Sequence, residues 1–101
     1  MGRKVIISPS AQSDLSDIVA YIARHNREAA VRLGYALIAR GEFLGQFPER
    51  GRVVPELGRA DLRETIYRSY RIIYRIRSEP QVVEIVRFWH AARGFPQVPA
   101  L

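Results

Sequence analysis

The stretch Tyr70-Arg71-Ile72-Ile73-Tyr74-Arg75-Ile76-Arg77 has the residue types and the spacing to do chemistry. In an extended strand, alternate side chains point to opposite faces. Tyr70, Ile72, Tyr74 and Ile76 then share an apolar-aromatic face, and Arg71, Ile73, Arg75 and Arg77 share the other. Guanidinium groups in a row suit phosphate or carboxylate recognition, because each offers a planar fork of donors. The stretch reads as a central strand, packed on helices on one side and offered to a polyanion or an acidic partner on the other. The plainer reading is an amphipathic strand whose basic face is simply solvated.

The whole chain shares this basic character. Its 101 residues carry a net charge of +6, and fifteen of the sixteen basic residues are arginine, Lys4 being the exception. Arginine favours bidentate and stacking contacts over a plain point charge, although a high-GC genome produces the same bias. The excess points to a nucleic-acid, nucleoprotein or acidic-protein partner, bound in a salt-sensitive way. A hydrophobic fraction of 48% and a charged fraction of 26% are those of one folded domain over residues 1–101. A chain this short leaves little room for a large pocket beside its core, so small-molecule metabolism is disfavoured and no cofactor is expected.

The absence of cysteine excludes disulfides and thiolate metal sites. His25 and His90 are too far apart to form a helical metal pair, so no metal site is expected. The N-terminus has an apolar run of only Val5-Ile6-Ile7, too short for a signal-peptide core, and nothing approaches the roughly 20 apolar residues of a membrane span. A cytoplasmic protein with no membrane partner is expected.

Several elements must position the arginine strand. Val5-Ile6-Ile7 reads as a short β-strand, stopped by Ser8-Pro9, an N-cap followed by proline at the first helical position. A helix is expected from about Pro9 to Arg24. Ala11, Leu15, Ile18, Val19 and Ile22 form its apolar stripe, with Asp14 and Asp17 on the other side. His25 suits the end of that helix as a structural residue. Asn26 caps a second helix, expected from Arg27 to Phe47, where Gly34 and Gly41 suggest close backbone packing. Together they make an antiparallel helix hairpin.

Phe47 to Arg52 reads as a turn, and Val53 to Asp61 as the longest irregular loop. Leu62–Tyr67 reads as a strand leading through Arg68-Ser69 into the arginine strand. Ser78 to Gln81 is a hairpin loop and Val82–Trp89 the last strand, with Val82, Glu84, Val86 and Phe88 on one face and Val83, Ile85, Arg87 and Trp89 on the other. Gly94 to Leu101 is a tail that either covers the core or meets a partner. The expected fold is α+β, in the order β-α-α-β-β-β, with the helix hairpin on one face of a mostly antiparallel four-stranded sheet.

A resemblance now emerges from the order of several short motifs. These are Asp14-Leu15-x-x-Ile18-x-x-Tyr21-Ile22-Ala23, Phe47-Pro48-Glu49-x-Gly51-Arg52, Val54-Pro55-Glu56-Leu57-Gly58, Leu62-Arg63-Glu64, the arginine strand and His90-Ala91-Ala92-Arg93. Over nearly its whole length the chain resembles the RelE/ParE superfamily of bacterial type II toxins, and its helix hairpin and His-Ala-Ala-Arg ending are more similar to the ParE branch. The resemblance implies a growth-inhibiting toxin neutralised by a cognate antitoxin protein. ParE-type members act on DNA gyrase, whereas RelE-type and YoeB-type members cut messenger RNA on the ribosome.

The nuclease alternative requires a base, an acid and positive charge at the scissile phosphate. By resemblance, Glu56 matches the YoeB-type general base, Arg71 the phosphate-stabilising arginine, His90 the acid/base histidine and Arg93 a late basic residue. These four are expected to converge at one sheet edge as a metal-independent endoribonuclease site. The set departs from the pattern at Ala91, where YoeB-type members carry tyrosine. Arg63 and Thr65 stand where RelE-type members carry lysines, and arginine is a poor proton shuttle. The leading expectation is therefore a ParE-like, protein-binding toxin that poisons gyrase, with Arg63, Arg71, Arg75 and Arg93 as partner-binding or nucleic-acid-binding residues. The ribosome-dependent nuclease is the alternative, and a member that only binds its antitoxin is a third.

Overall fold

Residues 2–98 are described by the computed structural model. The chain runs β1 (Lys4–Ile7), α1 (Pro9–Ala23), α2 (Arg27–Phe43), β2 (Arg52–Val53), β3 (Leu62–Tyr67), β4 (Tyr70–Ser78), β5 (Gln81–His90) and a short 3₁₀ turn (Ala91–Arg93). The strands form one sheet in the order β1-β5-β4-β3-β2. β1 lies parallel to β5, and the remaining neighbours are antiparallel. The sheet thus has five strands rather than the expected four. β2 was hidden because two residues among Gly, Arg and Pro show no alternation, yet Arg52 and Val53 pair with Glu64 and Arg63.

Ser8 joins the strand ladder to the first helix. Its N–H donates to the Ile85 carbonyl at 3.0 Å, and its hydroxyl accepts from the Ala11 N–H and donates to the Val86 carbonyl, each at 3.1 Å. Asn26 caps α2 by accepting from the Ala29 N–H at 3.0 Å. Both expected glycine contacts are present: a Cβ on Gly34 would stand 3.1 Å from Val19 of α1, and one on Gly41 would stand 3.4 Å from Ile85 of β5. α2 ends at Phe43, short of the expected Phe47. Gly45 lies against the backbone of Arg3, accepting its N–H at 2.6 Å, and Pro48 follows closely, so the helix cannot continue.

The core lies between the hairpin and the sheet. Ala11, Leu37, Leu44, Ile72, Tyr74, Val83, Ile85 and Phe88 form its buried centre, with Tyr70 and Ile76 packed against it. The apolar face of β4 is therefore the helix side, as its alternation predicts. The opposite face is also covered. Val54, Leu62, Ile73, Val82 and Val86 are buried outside that cluster. Phe95 and Pro96 of the tail are half-buried and buried, while Pro99 and Leu101 lie outside the described residues. Among the described residues no helix is long and apolar enough to cross a membrane.

One irregularity governs the far end of the sheet. From Ser78↔Gln81 to Tyr74↔Ile85 the β4–β5 pairing is regular, but Ile73 pairs with Arg87, leaving Val86 as an extra residue. A bulge of one residue reverses which side chains face which way beyond it. The expected alternation of β5 consequently fails after Val86. Phe88 joins Val83 and Ile85 on the helix side, and Arg87 and Trp89 join Arg71 and Ile73 on the other.

Candidate functional site

Arg71 lies on the sheet's far face near the start of the central strand β4, and carboxylates hold three of its nitrogens. Its Nε donates to Oε1 of Glu64 on the neighbouring strand β3. Its two terminal nitrogens donate to Glu56 at 2.9 and 3.0 Å, a bidentate fork. Glu64 is fully buried and also binds Arg52 through Nε at 2.8 Å and a terminal nitrogen at 2.7 Å. The Arg71 guanidinium is 5.2 Å from the centre of the Phe95 ring, so loop and tail both close over it. The residue is 8% exposed.

These contacts set the proton affinities. The hydrogen bond from Arg71 holds the Glu56 carboxyl below the usual carboxylate range, despite an opposing desolvation. The same bond, followed by the one to Glu64, raises Arg71 above its ordinary value against the effect of burial. Glu56 comes from the turn after Pro55, closed by Leu57 and Gly58 N–H bonds to the Val54 carbonyl at 3.1 and 3.0 Å. Gly58 adopts φ +61°, a conformation that suits glycine.

Arg75 is 5% exposed and meets Glu84 of β5 at 3.1 Å, which also meets Arg77 at 3.1 Å. Burial lowers the Arg75 pKa, and Glu84 opposes that shift. The expectation of an open arginine row is therefore corrected at Arg71 and Arg75. Loop and tail cover the face, and in-chain carboxylates occupy the guanidiniums because burying an unpaired charge is prohibitive. Arg63 is half-buried and serves as a brace, donating to the Gly51 carbonyl at 3.1 Å and the Ala60 carbonyl at 3.2 Å.

His90 is elsewhere. The bulge at Val86 places it opposite Tyr70 on the helix side, with ring centres 5.2 Å apart and nearly perpendicular. Its Nδ1 accepts the Ala92 N–H at 3.1 Å, so the imidazole caps the 3₁₀ turn. Without the extra residue, His90 would share a face with Arg71. As built, the sheet lies between them, and the four residues expected at one edge are divided. Glu56 and Arg71 are joined on the far face, whereas His90 lines a groove of about 530 Å³ with Ile18, Tyr21, Ile22, Tyr70 and Arg93. Arg93 is exposed, its guanidinium 4.0 Å from the centre of the Trp89 ring, and Trp89 donates from Nε1 to the Gly94 carbonyl at 2.9 Å.

Sequence reasoning misplaced one carboxylate. Asp14, expected on the solvent side of α1, is buried at the edge of β5 just beyond the end of β1. It accepts two bonds from Arg87 at 2.7 Å and the Phe88 N–H at 3.1 Å. Asp14 follows Ala11 by three residues and precedes Ile18 by four, so it borders the apolar stripe, a signal present in the sequence. Among the described residues no group of three or more His, Asp or Glu side chains could hold a metal ion.

This arrangement resembles known proteins in both sequence and shape. The chain is 36% identical over 91 residues to the protein named Toxin RelE2 of Caulobacter vibrioides, covering 89% of this chain and 97% of that protein. Its fold matches a solved structure of the chromosomal ParDE toxin–antitoxin system of P. aeruginosa, with a TM-score of 0.73 at 18% identity over 87% of this chain and 95% of that one. It also matches the toxin–antitoxin complex RelBE2 of Mycobacterium tuberculosis, with a TM-score of 0.68 at 23% identity over 89% and 92% of the two chains. The family described as the ParE toxin of the type II toxin–antitoxin system parDE matches residues 5–95. The chain is thus a type II toxin of the RelE/ParE superfamily and belongs to the ParE toxin family.

Proposed function

We propose that this toxin arrests growth by binding a protein target, with DNA gyrase as that target, and that it does not cleave RNA. One observation carries the reading. The base, phosphate-binding and acid candidates Glu56, Arg71 and His90 lie on two sides of the sheet, and both oxygens of Glu56 already accept from Arg71. A general base needs a free lone pair beside the proton it removes, and an acid within reach of the same phosphate. A carboxylate with a lowered pKa is also a weaker base.

The reading assigns contact with the target to Arg93, exposed on Trp89 at the mouth of the His90 groove, and gives Arg71, Arg75 and Arg63 to the integrity of the platform. It locates the protein in the cytoplasm, where gyrase meets DNA. The test is supercoiling by purified gyrase beside messenger RNA cleavage on purified ribosomes. Supercoiling is expected to be inhibited, and Arg93→Ala to weaken inhibition on the order of tenfold. Ribosome-dependent cleavage that disappears in Glu56→Ala and His90→Ala, with supercoiling untouched, overturns the reading in favour of the nuclease.

A further inference from the structure

One series of contacts leads from a buried carboxylate on α1 to the exposed Arg93. Both oxygens of Asp14 accept from Arg87, each at 2.7 Å, and the remaining terminal nitrogen of Arg87 donates to the Gln97 carbonyl at 2.7 Å. Arg87 is thus held at all three nitrogens, and its guanidinium stands 4.7 Å from the centre of the Trp89 ring. The same ring meets the Arg93 guanidinium at 4.0 Å. The indole is itself latched, because its Nε1 donates to the Gly94 carbonyl at 2.9 Å. Gly94 has φ +78° and ψ −151°, a backbone conformation that favours glycine, and it ends the 3₁₀ turn that carries Arg93.

The two arginines on this ring differ in their charge balance. Arg87 has a carboxylate partner in Asp14. Arg93 meets the indole and, among the described residues, neither a carboxylate nor a hydrogen-bond acceptor. Two bare cations on one ring would repel each other, and Asp14 offsets the charge of the inner one. Contact with a ring uses none of the N–H groups of a guanidinium, so the donors of Arg93 stay open to an oxygen acceptor. A long side chain loses rotamer freedom when a partner fixes it, and a side chain already held on a ring loses less. Closure of the sheet edge accounts for the bond from the Phe88 N–H to Asp14 and for the Gly94 latch, but it makes no use of Arg93.

We infer that Trp89 is a positioning residue for target binding: it holds the Arg93 guanidinium ready for a carboxylate of the protein target, and Asp14, by neutralising Arg87, lets the indole carry this second cation. The inference rests on the assignment of target contact to Arg93 and not on which protein the target is. Trp89 is the chain's single tryptophan, so its signals are read without ambiguity.

The experiment measures supercoiling by purified gyrase, and growth arrest on induction, for the full chain and its variants, each checked for fold by circular dichroism. Trp89→Leu is expected to weaken both readouts about fivefold, and Trp89→Phe, which keeps a ring for the cation, to stay within about twofold. In an Arg93→Ala background Trp89→Leu is expected to add nothing, since no guanidinium is left to hold. Arg27→Ala, an exposed position at the start of α2, is expected to change neither readout. By NMR, the Arg93 side-chain protons are expected to be shifted upfield by the indole in the wild type, and less so in Asp14→Asn. Undiminished inhibition by Trp89→Leu, an equal loss in Trp89→Phe, losses that multiply in the double variant, or an Arg93 spectrum unchanged by Asp14→Asn each overturns the inference. Where Trp89→Leu does not fold, the wild-type spectrum decides, and Arg93 signals at random-coil positions overturn it. Growth arrest with supercoiling untouched refutes gyrase as the target and leaves the inference to the growth-arrest series. Arg93→Ala without effect on growth arrest removes Arg93 from the contact and overturns the inference with it.

Discussion

The two faces of the sheet solve the same problem with different chemistry. On the helix side, Ile72, Tyr74, Val83, Ile85 and Phe88 meet Ala11, Leu37 and Leu44, and burial of apolar surface stabilises the contact. On the far side the described residues form no second helix layer. A loop and a tail cover it, and near the start of β4 Arg71 lies between Glu64 and Glu56. Apolar packing is non-directional and tolerates small shifts. A buried ion network is directional, and losing one member strands the others. The comparison teaches that a row of arginines on a strand need not be a binding surface. Its exposure depends on whether the chain supplies its own carboxylates.

Breaking each face in turn measures this difference. The largest effect is expected for Glu64→Ala, which leaves Arg71 and Arg52 without their buried partner and costs about 3–5 kcal/mol in urea unfolding. The matching lesion on the helix side is Leu37→Ala, expected to cost about 2–5 kcal/mol with little change elsewhere, since it removes transfer energy and leaves a cavity. Equal losses from the two would show that the ionic face contributes as much to the fold as the apolar one.

Tyr74 ties the helix-side core to the turn before β2, because its ring is in that core while its hydroxyl accepts the Gly51 N–H at 2.9 Å and donates to the Pro48 carbonyl at 2.7 Å. Tyr74→Phe is expected to cost about 1–2 kcal/mol and to raise amide exchange at Gly51 and along β2.

The smallest effect sharpens the comparison most. The Glu56 side chain is 42% exposed, so Glu56→Gln is expected to cost at most about 1 kcal/mol at neutral pH. Its folded pKa lies below the ordinary 4.5. The pair's contribution is therefore full above the unfolded value and is lost as the pH falls through the lower folded value. Stability of the wild type and Glu56→Gln should converge as the pH is lowered from 5 through that window. A gap that stays constant would show that Glu56 acts through packing and not through its charge.

Much of this molecule could be read from the residues in order. Ser8-Pro9 and Asn26 marked the helix starts, the apolar stripes identified the hairpin, and the alternation in Tyr70 to Ile76 gave the face of β4 that meets it. Gly34 and Gly41 pointed to close helix packing. Other features had no local signal. β2 is too short to show a period, and the partner of Arg71 is fifteen residues away in a loop without regular structure. Asp14 borders an apolar stripe, but that its carboxylate would serve the edge of β5 depends on where β1 ends.

Residue type and period alone determined that this chain forms an α+β fold, a helix hairpin on a sheet, with a net basic charge, because helix caps and side-chain alternation act over a few neighbouring residues. Only the tertiary structure decided which arginines are open and where His90 points. Both depend on pairings between distant strands, and one extra residue at Val86 turns the end of β5 over and carries His90 to the side of the sheet away from Arg71.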